Sequence, residues 1–485
     1  MAQAPPSKED VLEKIIERCR ENDIIIPTFD QLRNPETIPD EIKEDLKEID
    51  MQEPHPLNLF RINWKNDPET GGFGDVNRFE IPHELTGMDT RIVGLVGKHF
   101  PIGAHKVGAA FGCLVPRLVN GQFDPTRQKA VWPSTGNYCR GGAFDSALLS
   151  CKSVAILPEG MSQERFDWLK EIGAEVIPTP GTESNVKEIY DKCHELKEKH
   201  GDEIVIFNQF DEFGNSAWHY NTTGPALEEV YEEIRESDQQ LSAWCAATGS
   251  AGTIAAGDYL KQQHPRMKIV AAEAQQCPTI LRSGFGEHRI EGIGDKHIPW
   301  IHNVRNTDVV TGIDDEACMR LLRLFNEPAG HELLIEEGVP EESVKQLPLL
   351  GISCIANVLS AVKTAQYFEM DQRDVIVTVY TDSSDLYQSR LEELRKEYGE
   401  YTKDEAYKDW HRYLLGESKE EVIDCGYYDR KRIHNQKYFT WVEQQGKSSD
   451  ELREQWDPAY WDEIYEQIDT WDDQIRELNN DVGIL

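Results

Sequence analysis

"SAWCAATGSAGTIAAG", residues 242–257, reads as a strand, a loop of small residues and the start of a helix. Ala243–Ala247 are a short apolar run, Thr248-Gly249-Ser250-Ala251-Gly252-Thr253 form the loop, and Ile254 opens an alanine-rich helix. Small residues let the backbone come close to a ligand, and a helix start offers its dipole and N–H groups to an anion. The loop lacks the lysine of a P-loop and the full dinucleotide fingerprint, so it suits a phosphate but does not support an ATP or NAD site. A tight strand–helix turn without a ligand is the plain alternative.

The same alternation continues on both sides of this stretch. "KAVWPS", "SVAILPE", "AEVIPT", "EIVIFNQF", "KIVAAEA" and "DVIVTVYTD" are short β-branched or aromatic runs, each bounded by polar punctuation and followed by helical periodicity. Strands that alternate with helices predict parallel sheets covered by helices, an α/β fold. The alternation fills residues from about 91 to 390. Residues 1–90 are acidic and dotted with proline, with one helical face at Val11, Ile15, Ile16 and Cys19. Residues 391–485 are highly charged and mostly helical, and Trp410, Trp441, Trp456, Trp461 and Trp471 lie in them. The expected organisation is an N-terminal extension (1–90), a core (91–390) and an acidic, Trp-rich C-terminal extension (391–485).

Carboxylates outnumber Lys and Arg by 88 to 51, giving a net charge of -37 over 485 residues. Such a surface repels nucleic acid and anionic membranes, so neither is expected as a partner. The ten cysteines include no C-x-x-C pair, which argues against zinc or a disulfide framework and for free thiols in a reducing compartment. No apolar stretch approaches the ~20 residues that span a bilayer. The first residues lack a basic segment followed by an apolar run. A soluble cytoplasmic protein without a metal is expected.

Three further stretches carry chemistry. "GKHFPIGAHKVGAAFG" (97–112) sets Lys106 among glycines, alanines and apolar residues, where a lysine is costly to bury. "WPSTGNYCRGGA" puts Ser134-Thr135-Gly136-Asn137-Tyr138 between a strand and a helix. That is either a nest of hydroxyls and N–H groups for a carboxylate or an ordinary helix cap. "VYTDSSDLYQSR" ends the last strongly apolar strand at Ser383 and Ser384, and the glycines of "EGIGDKHIP" (291–299) suggest backbone close to a ligand. A lysine in a small-residue setting, a phosphate loop, a carboxylate nest and a serine at a strand end share one explanation. It is pyridoxal 5'-phosphate held on Lys106 as a Schiff base, because an amine in an apolar pocket has a lowered pKa and becomes nucleophilic. His105 beside it reads either as a group tuning proton transfers or as a packed histidine.

The chain resembles the cysteine synthase and cystathionine β-synthase group of pyridoxal-phosphate-dependent enzymes. The resemblance rests on "LPEGMSQERFDWLKEIGAEVI" (157–177), "NQFDEFGNSAWHYNTTGPALEEV" (208–230) and "GISCIANVLSA" (351–361), in order over about 300 residues. It implies the two-domain, three-layer fold of tryptophan synthase β-like (type II) enzymes, with a smaller mobile subdomain at about 130–235 and a homodimer. By position, Lys106 would bind the cofactor and move the α-proton, Asn137 would face the ring hydroxyl, and Ser383 the pyridine nitrogen. Gly249, Ser250, Ala251, Gly252 and Thr253 would hold the phosphate. Ser134, Thr135, Gly136, Asn137 and Gln209 would take the substrate carboxylate. A serine at the ring nitrogen leaves a weaker electron sink than an aspartate and favours loss of a β-leaving group. The implied reaction is β-replacement or β-elimination on a β-substituted L-amino acid through an aminoacrylate. A serine/threonine dehydratase or cysteine lyase is the alternative, and a non-catalytic binding relative a further one. The chain departs from the group at "FPIGAHKVGA", at Ala251 where glycine is usual, at Tyr138, and at Cys354 and Ile355.

Overall fold

The structure, a computed structural model, describes residues 6–134, 136–161, 163–181 and 186–484. In chain order its strands are β1 (Arg78–Ile81), β2 (Arg91–Val96), β3 (Lys129–Pro133), β4 (Ser153–Pro158), β5 (Glu175–Thr179), β6 (Ile204–Ile206), β7 (Gln240–Ala247), β8 (Lys268–Ala274), β9 (Val309–Ile313), β10 (Asp374–Tyr380) and β11 (Val422–Asp424). All seven apolar runs read from the sequence are strands. The chain forms two compact units. One comprises Met1–Asp75, Phe100–Thr223 and Asp457–Leu485, the other Val76–His99 and Gly224–Trp456.

In the first unit β5-β4-β3-β6 make an all-parallel sheet. Successive side chains of a strand point to opposite faces, and β3 shows both layers. Val131 packs with Val154, Ile189 and Cys193 under the Val186–His200 helix. Trp132 turns to the Asn137–Leu148 helix, where its Nε1 donates to Ser146 Oγ at 3.1 Å.

The N-terminal and C-terminal segments close this unit together. The Pro458–Val482 helix buries Trp461, Ile464, Tyr465 and Ile468, and Tyr465 stacks on Tyr220 with ring centroids 3.9 Å apart. Asn479 exchanges hydrogen bonds with the backbone of Ile26. Asp472 accepts from the N–H groups of Phe29 and Asp30 at 2.6 and 3.1 Å, at the start of the Phe29–Arg33 helix. Burial nevertheless raises its carboxyl to about 6. A folded-state value above the unfolded one means that the native state binds more protons. The associated stability is full below about pH 4 and is lost as the pH rises through about 6. Asp472→Asn is therefore expected to gain on the wild type by on the order of 2–3 kcal/mol between pH 4 and 7. Denaturation midpoints of both proteins across that range check this.

In the second unit β1-β2-β10-β7-β8-β9-β11 form one sheet, parallel from β2 to β9, with β1 and β11 antiparallel at its edges. Trp244 faces the Ile254–Gln263 helix and donates to Thr253 O at 3.2 Å. The next residue, Cys245, faces Thr364 on the Ile352–Tyr367 helix. Helices on both faces give three layers here as well. The charged tail supplies Trp410 and Trp441, buried with their indole N–H groups on Leu85 O and Ile298 O. All ten cysteines are free thiols. No helix among the described residues is long and apolar enough to cross a membrane.

Candidate active site

In open α/β sheets ligands bind beyond the carboxyl ends of strands, where the strand order reverses. Both sheets have such a point. From β3 the chain moves outward to β4 and β5 and returns to the other side as β6, so the reversal lies between β3 and β6. From β7 it moves to β8 and β9 and returns as β10, so the second reversal lies between β7 and β10.

At the β3/β6 point the first unit brings together Lys106, Ser134, Gly136 and Gln209. Lys106 is the first residue of the Lys106–Val119 helix and is half-buried. Its Nζ donates to Gln209 Oε1 at 3.5 Å, and Gln209 Nε2 donates to Ser134 Oγ at 3.2 Å. Gly136 N–H also donates to Ser134 Oγ at 3.2 Å. With two donors on its oxygen, the Ser134 hydroxyl has its proton to offer to a carboxylate. Asn137 opens the following helix and takes Arg140 Nη1 on Oδ1 at 3.4 Å. Thr135 lies outside the described residues. Tyr138, one of the chain's departures from the group, turns inward: it is buried and its hydroxyl donates to Phe207 O at 3.2 Å.

Two buried arginines, Arg140 and Arg165, flank this loop and carry no role in the sequence reading. A Cβ placed on Gly136 would stand 2.7 Å from Arg165 Nη1. The signal for Arg165 was present in "MSQERF". Arg140 lies over the Trp168 ring at 4.7 Å and donates to Ile102 O at 3.1 Å. Ile102 has φ 65° and ψ 0°, a left-handed conformation that a β-branched residue adopts only under constraint. Its N–H meets Gln52 Oε1 at 3.0 Å, so the strained turn before Lys106 is held from two sides.

His105 is packed. It is 1% exposed, its ring lies 5.6 Å from Trp64 and 5.0 Å from His219. Burial, reinforced by Lys106, pulls its imidazole down to about 3. Both effects favour the neutral ring.

At the β7/β10 point the second unit brings together the 248–253 loop and Ser383. Thr248 is anchored to Ala272 O by its N–H and hydroxyl at 2.8 and 3.1 Å. The loop leads into the Ile254–Gln263 helix, whose start has no side-chain cap. Ser250 and Thr253 add hydroxyls, both buried. The 291–295 segment lies against the loop: Gly294 N–H donates to Thr248 O at 2.9 Å, and a Cβ on Gly249 would stand 2.7 Å from Gly292 O. Asn357 of the Ile352–Tyr367 helix, unnoticed in the sequence, ties the two strand ends together. Its amide donates to Val379 O of β10 and accepts from Ala247 N–H of β7, both at 2.7 Å.

Ser383 is buried and caps the Ser384–Tyr387 turn, accepting from Asp385 N–H at 3.4 Å. Beside it, Asp382 takes the Tyr387 hydroxyl at 2.7 Å, and the Cys354 thiol donates to Asp382 O at 3.3 Å. That contact accounts for the thiol in "GISCI", and burial pushes its pKa up.

Ala251 has φ 62°, a conformation costing a non-glycine residue about 1–2 kcal/mol. Ala251→Gly is expected to stabilise the protein by about 0.5–1 kcal/mol after glycine's greater unfolded-state entropy is deducted. A urea midpoint checks it.

A small-residue loop at a helix start with two hydroxyls suits a phosphate monoester, and an amine at a reversal point suits an aldehyde, so the residues present fit pyridoxal phosphate. The fold is that of the type II pyridoxal-phosphate enzymes. Comparison with known proteins agrees: residues 97–335 match the family described as pyridoxal-phosphate dependent enzyme. The cysteine synthase of Staphylococcus aureus is 32% identical over 260 residues, 53% of this chain and 75% of that protein. A probable cysteine synthase of Bacillus subtilis is 30% identical over 290 residues, 60% and 85% of the two chains. Among solved structures, O-acetyl serine sulfhydrylase isoform 3 of Entamoeba histolytica superposes with a TM-score of 0.57 at 21% identity, covering 70% of this chain and 94% of its own. The chain belongs to the pyridoxal-phosphate dependent enzymes, in the cysteine synthase and cystathionine β-synthase group.

Proposed function

We propose that this enzyme catalyses β-replacement on a β-substituted L-amino acid, in the manner of a cysteine synthase. The observation that carries the reading is the file Lys106 Nζ–Gln209–Ser134 Oγ, with steps of 3.5 and 3.2 Å. It sets an amine able to move a proton beside a hydroxyl able to hold a carboxylate. The relatives named as cysteine synthases support replacement over elimination.

Pyridoxal phosphate supplies the electron sink that makes a proton at the substrate's Cα removable. Lys106 would hold the cofactor through Nζ and, once freed by the incoming amino group, take the Cα proton. Ser134, Thr135, the Gly136 N–H and Gln209 would orient the substrate carboxylate, and Asn137 would reach the cofactor's ring hydroxyl. Gly249, Ser250, Ala251, Gly252 and Thr253 would hold its phosphate. Ser383 would offer a neutral hydroxyl to the ring nitrogen, a weaker aid to charge than a carboxylate, which favours expulsion of the β-substituent. Residues 91–390 would be the catalytic core, with 1–90 and 391–485 as additions. The free thiols support a cytoplasmic setting. The exposed aromatic side chains of Phe285, Tyr428 and Phe439 support self-association as a homodimer, which a mass measurement in solution decides.

The purified protein should be yellow, and borohydride should bleach it and label Lys106. With O-acetylserine and sulfide it should release cysteine. Keto acid and ammonia in place of cysteine would instead indicate a dehydratase or lyase, and a colourless, unlabelled protein would overturn the reading.

A further inference from the structure

The first unit's sheet has a second opening, at the end opposite Ser134. Where its four strands begin, a cavity of ≈ 130 Å³ lies between the sheet and the Val186–His200 helix. Its floor is apolar: Val131, Val154, Ile177 and Ile204 come from four adjacent strands, and Leu196 comes from the helix. The rim is charged. Lys129 is paired with Glu175 at 2.7 Å, and His200 stands 3.8 Å from Glu203. Arg127 and Lys152 also line the cavity, both exposed, and form no ion pair among the described residues. Two uncommitted cations over an apolar floor stand out on a chain of net charge -37.

We propose that this cavity binds a small amphipathic carboxylate, a branched aliphatic acid with its hydrocarbon on the Val131–Val154–Ile177 floor and its carboxylate on Arg127 and Lys152. Charge selects the class. Arg127, Lys129 and Lys152 against Glu175 and Glu203 leave one uncompensated positive charge. The nearby carboxyl end of a helix disfavours further negative charge. A monoanion is matched; a phosphate dianion is not. Size agrees, since a cavity of ≈ 130 Å³ is several times the roughly 10–15 Å³ that one water needs and admits a short branched chain. The free acid, the α-amino acid and the α-keto acid share this chemistry. The site is separate from the Lys106 residues and does not depend on the function proposed for them.

Calorimetric titration of the holoenzyme with isocaproate, L-leucine and α-ketoisocaproate tests it, with isoamylamine as the chain lacking a carboxylate. At least one acid is expected to bind saturably while isoamylamine does not, and the tightest of the three identifies the natural source. The double variant Arg127→Gln/Lys152→Gln should weaken that binding about tenfold or more. Binding should persist in Lys106→Ala, which separates this cavity from the catalytic lysine. Absence of saturable binding by all three acids, an unchanged affinity in the double variant, or loss of binding in Lys106→Ala would each overturn the proposal.

Discussion

Replacing Lys106 by alanine is expected to lower kcat at least about a thousandfold, since one side chain would supply both covalent attachment and the proton-moving amine. The effect should be specific in kind as well as size. Lys106 is only half-buried and stands at the first position of its helix, its Nζ donating to Gln209 Oε1 at 3.5 Å. Its removal should therefore leave thermal stability nearly unchanged. The variant should lose the borohydride-sensitive absorbance, and small external amines should restore part of the rate. Gln209→Ala should behave differently: Lys106 is retained, Ser134 loses one of its two donors, and the main effect is a raised KM for the amino acid. A Lys106→Ala protein retaining a tenth of wild-type activity would show that another group moves the proton.

The sequence carries the local parts of this design and hides the long-range ones. The seven apolar runs read from the 91–390 stretch became strands because a parallel strand buried on both faces must be apolar throughout, which leaves a clear local signature. β11 was not legible. It is three residues long, lies in the charged tail, and exists because Val422–Asp424 pair with β9. Composition groups the tail into one zone, yet contacts divide it: Trp410 bonds to Leu85 in the second unit, while Asp472 and Asn479 bond to Phe29 and Ile26 in the first. Pairings across hundreds of residues have no local pattern.

The candidate site divides in the same way. Lys106, Ser134 and the 248–253 loop were visible because glycine, hydroxyls and a lone lysine are unusual at strand ends. Arg140 and Asn357 were not, because each looks like an ordinary helical residue until the fold sets its head group against a strand end or loop. The left-handed Ile102 is a further case. Its neighbours Pro101 and Gly103 announce a turn, but only Gln52 and Arg140 explain why isoleucine bears the strain.

Gly214→Ala is expected to be the most damaging substitution outside the chemical groups. The Lys106–Val119 and Phe213–Trp218 helices touch backbone to backbone: a Cβ on Gly214 would stand 1.9 Å from Gly112 O, and one on Gly112 2.2 Å from Gly214 O. One turn earlier, Gly108 accommodates the Trp218 ring, which a Cβ would meet at 2.2 Å. No rotamer relieves a clash with a carbonyl, so the helices must separate by about an ångström or more. Overpacking of this kind costs about 3 kcal/mol or more. The same movement reaches the chemistry, because Gln209 is tied to the second helix by Asn215 Nδ2 at 2.9 Å while Lys106 begins the first. A misplacement of about 1 Å between two catalytic groups lowers rates by up to about a hundredfold. Gly214→Ala should therefore lower the denaturation midpoint and, in the fraction that remains folded, lower kcat, whereas Gly173→Ala, with nothing within 4 Å of its Cβ, should leave kcat unchanged. Wild-type stability in Gly214→Ala would mean that the two helices do not meet through these glycines.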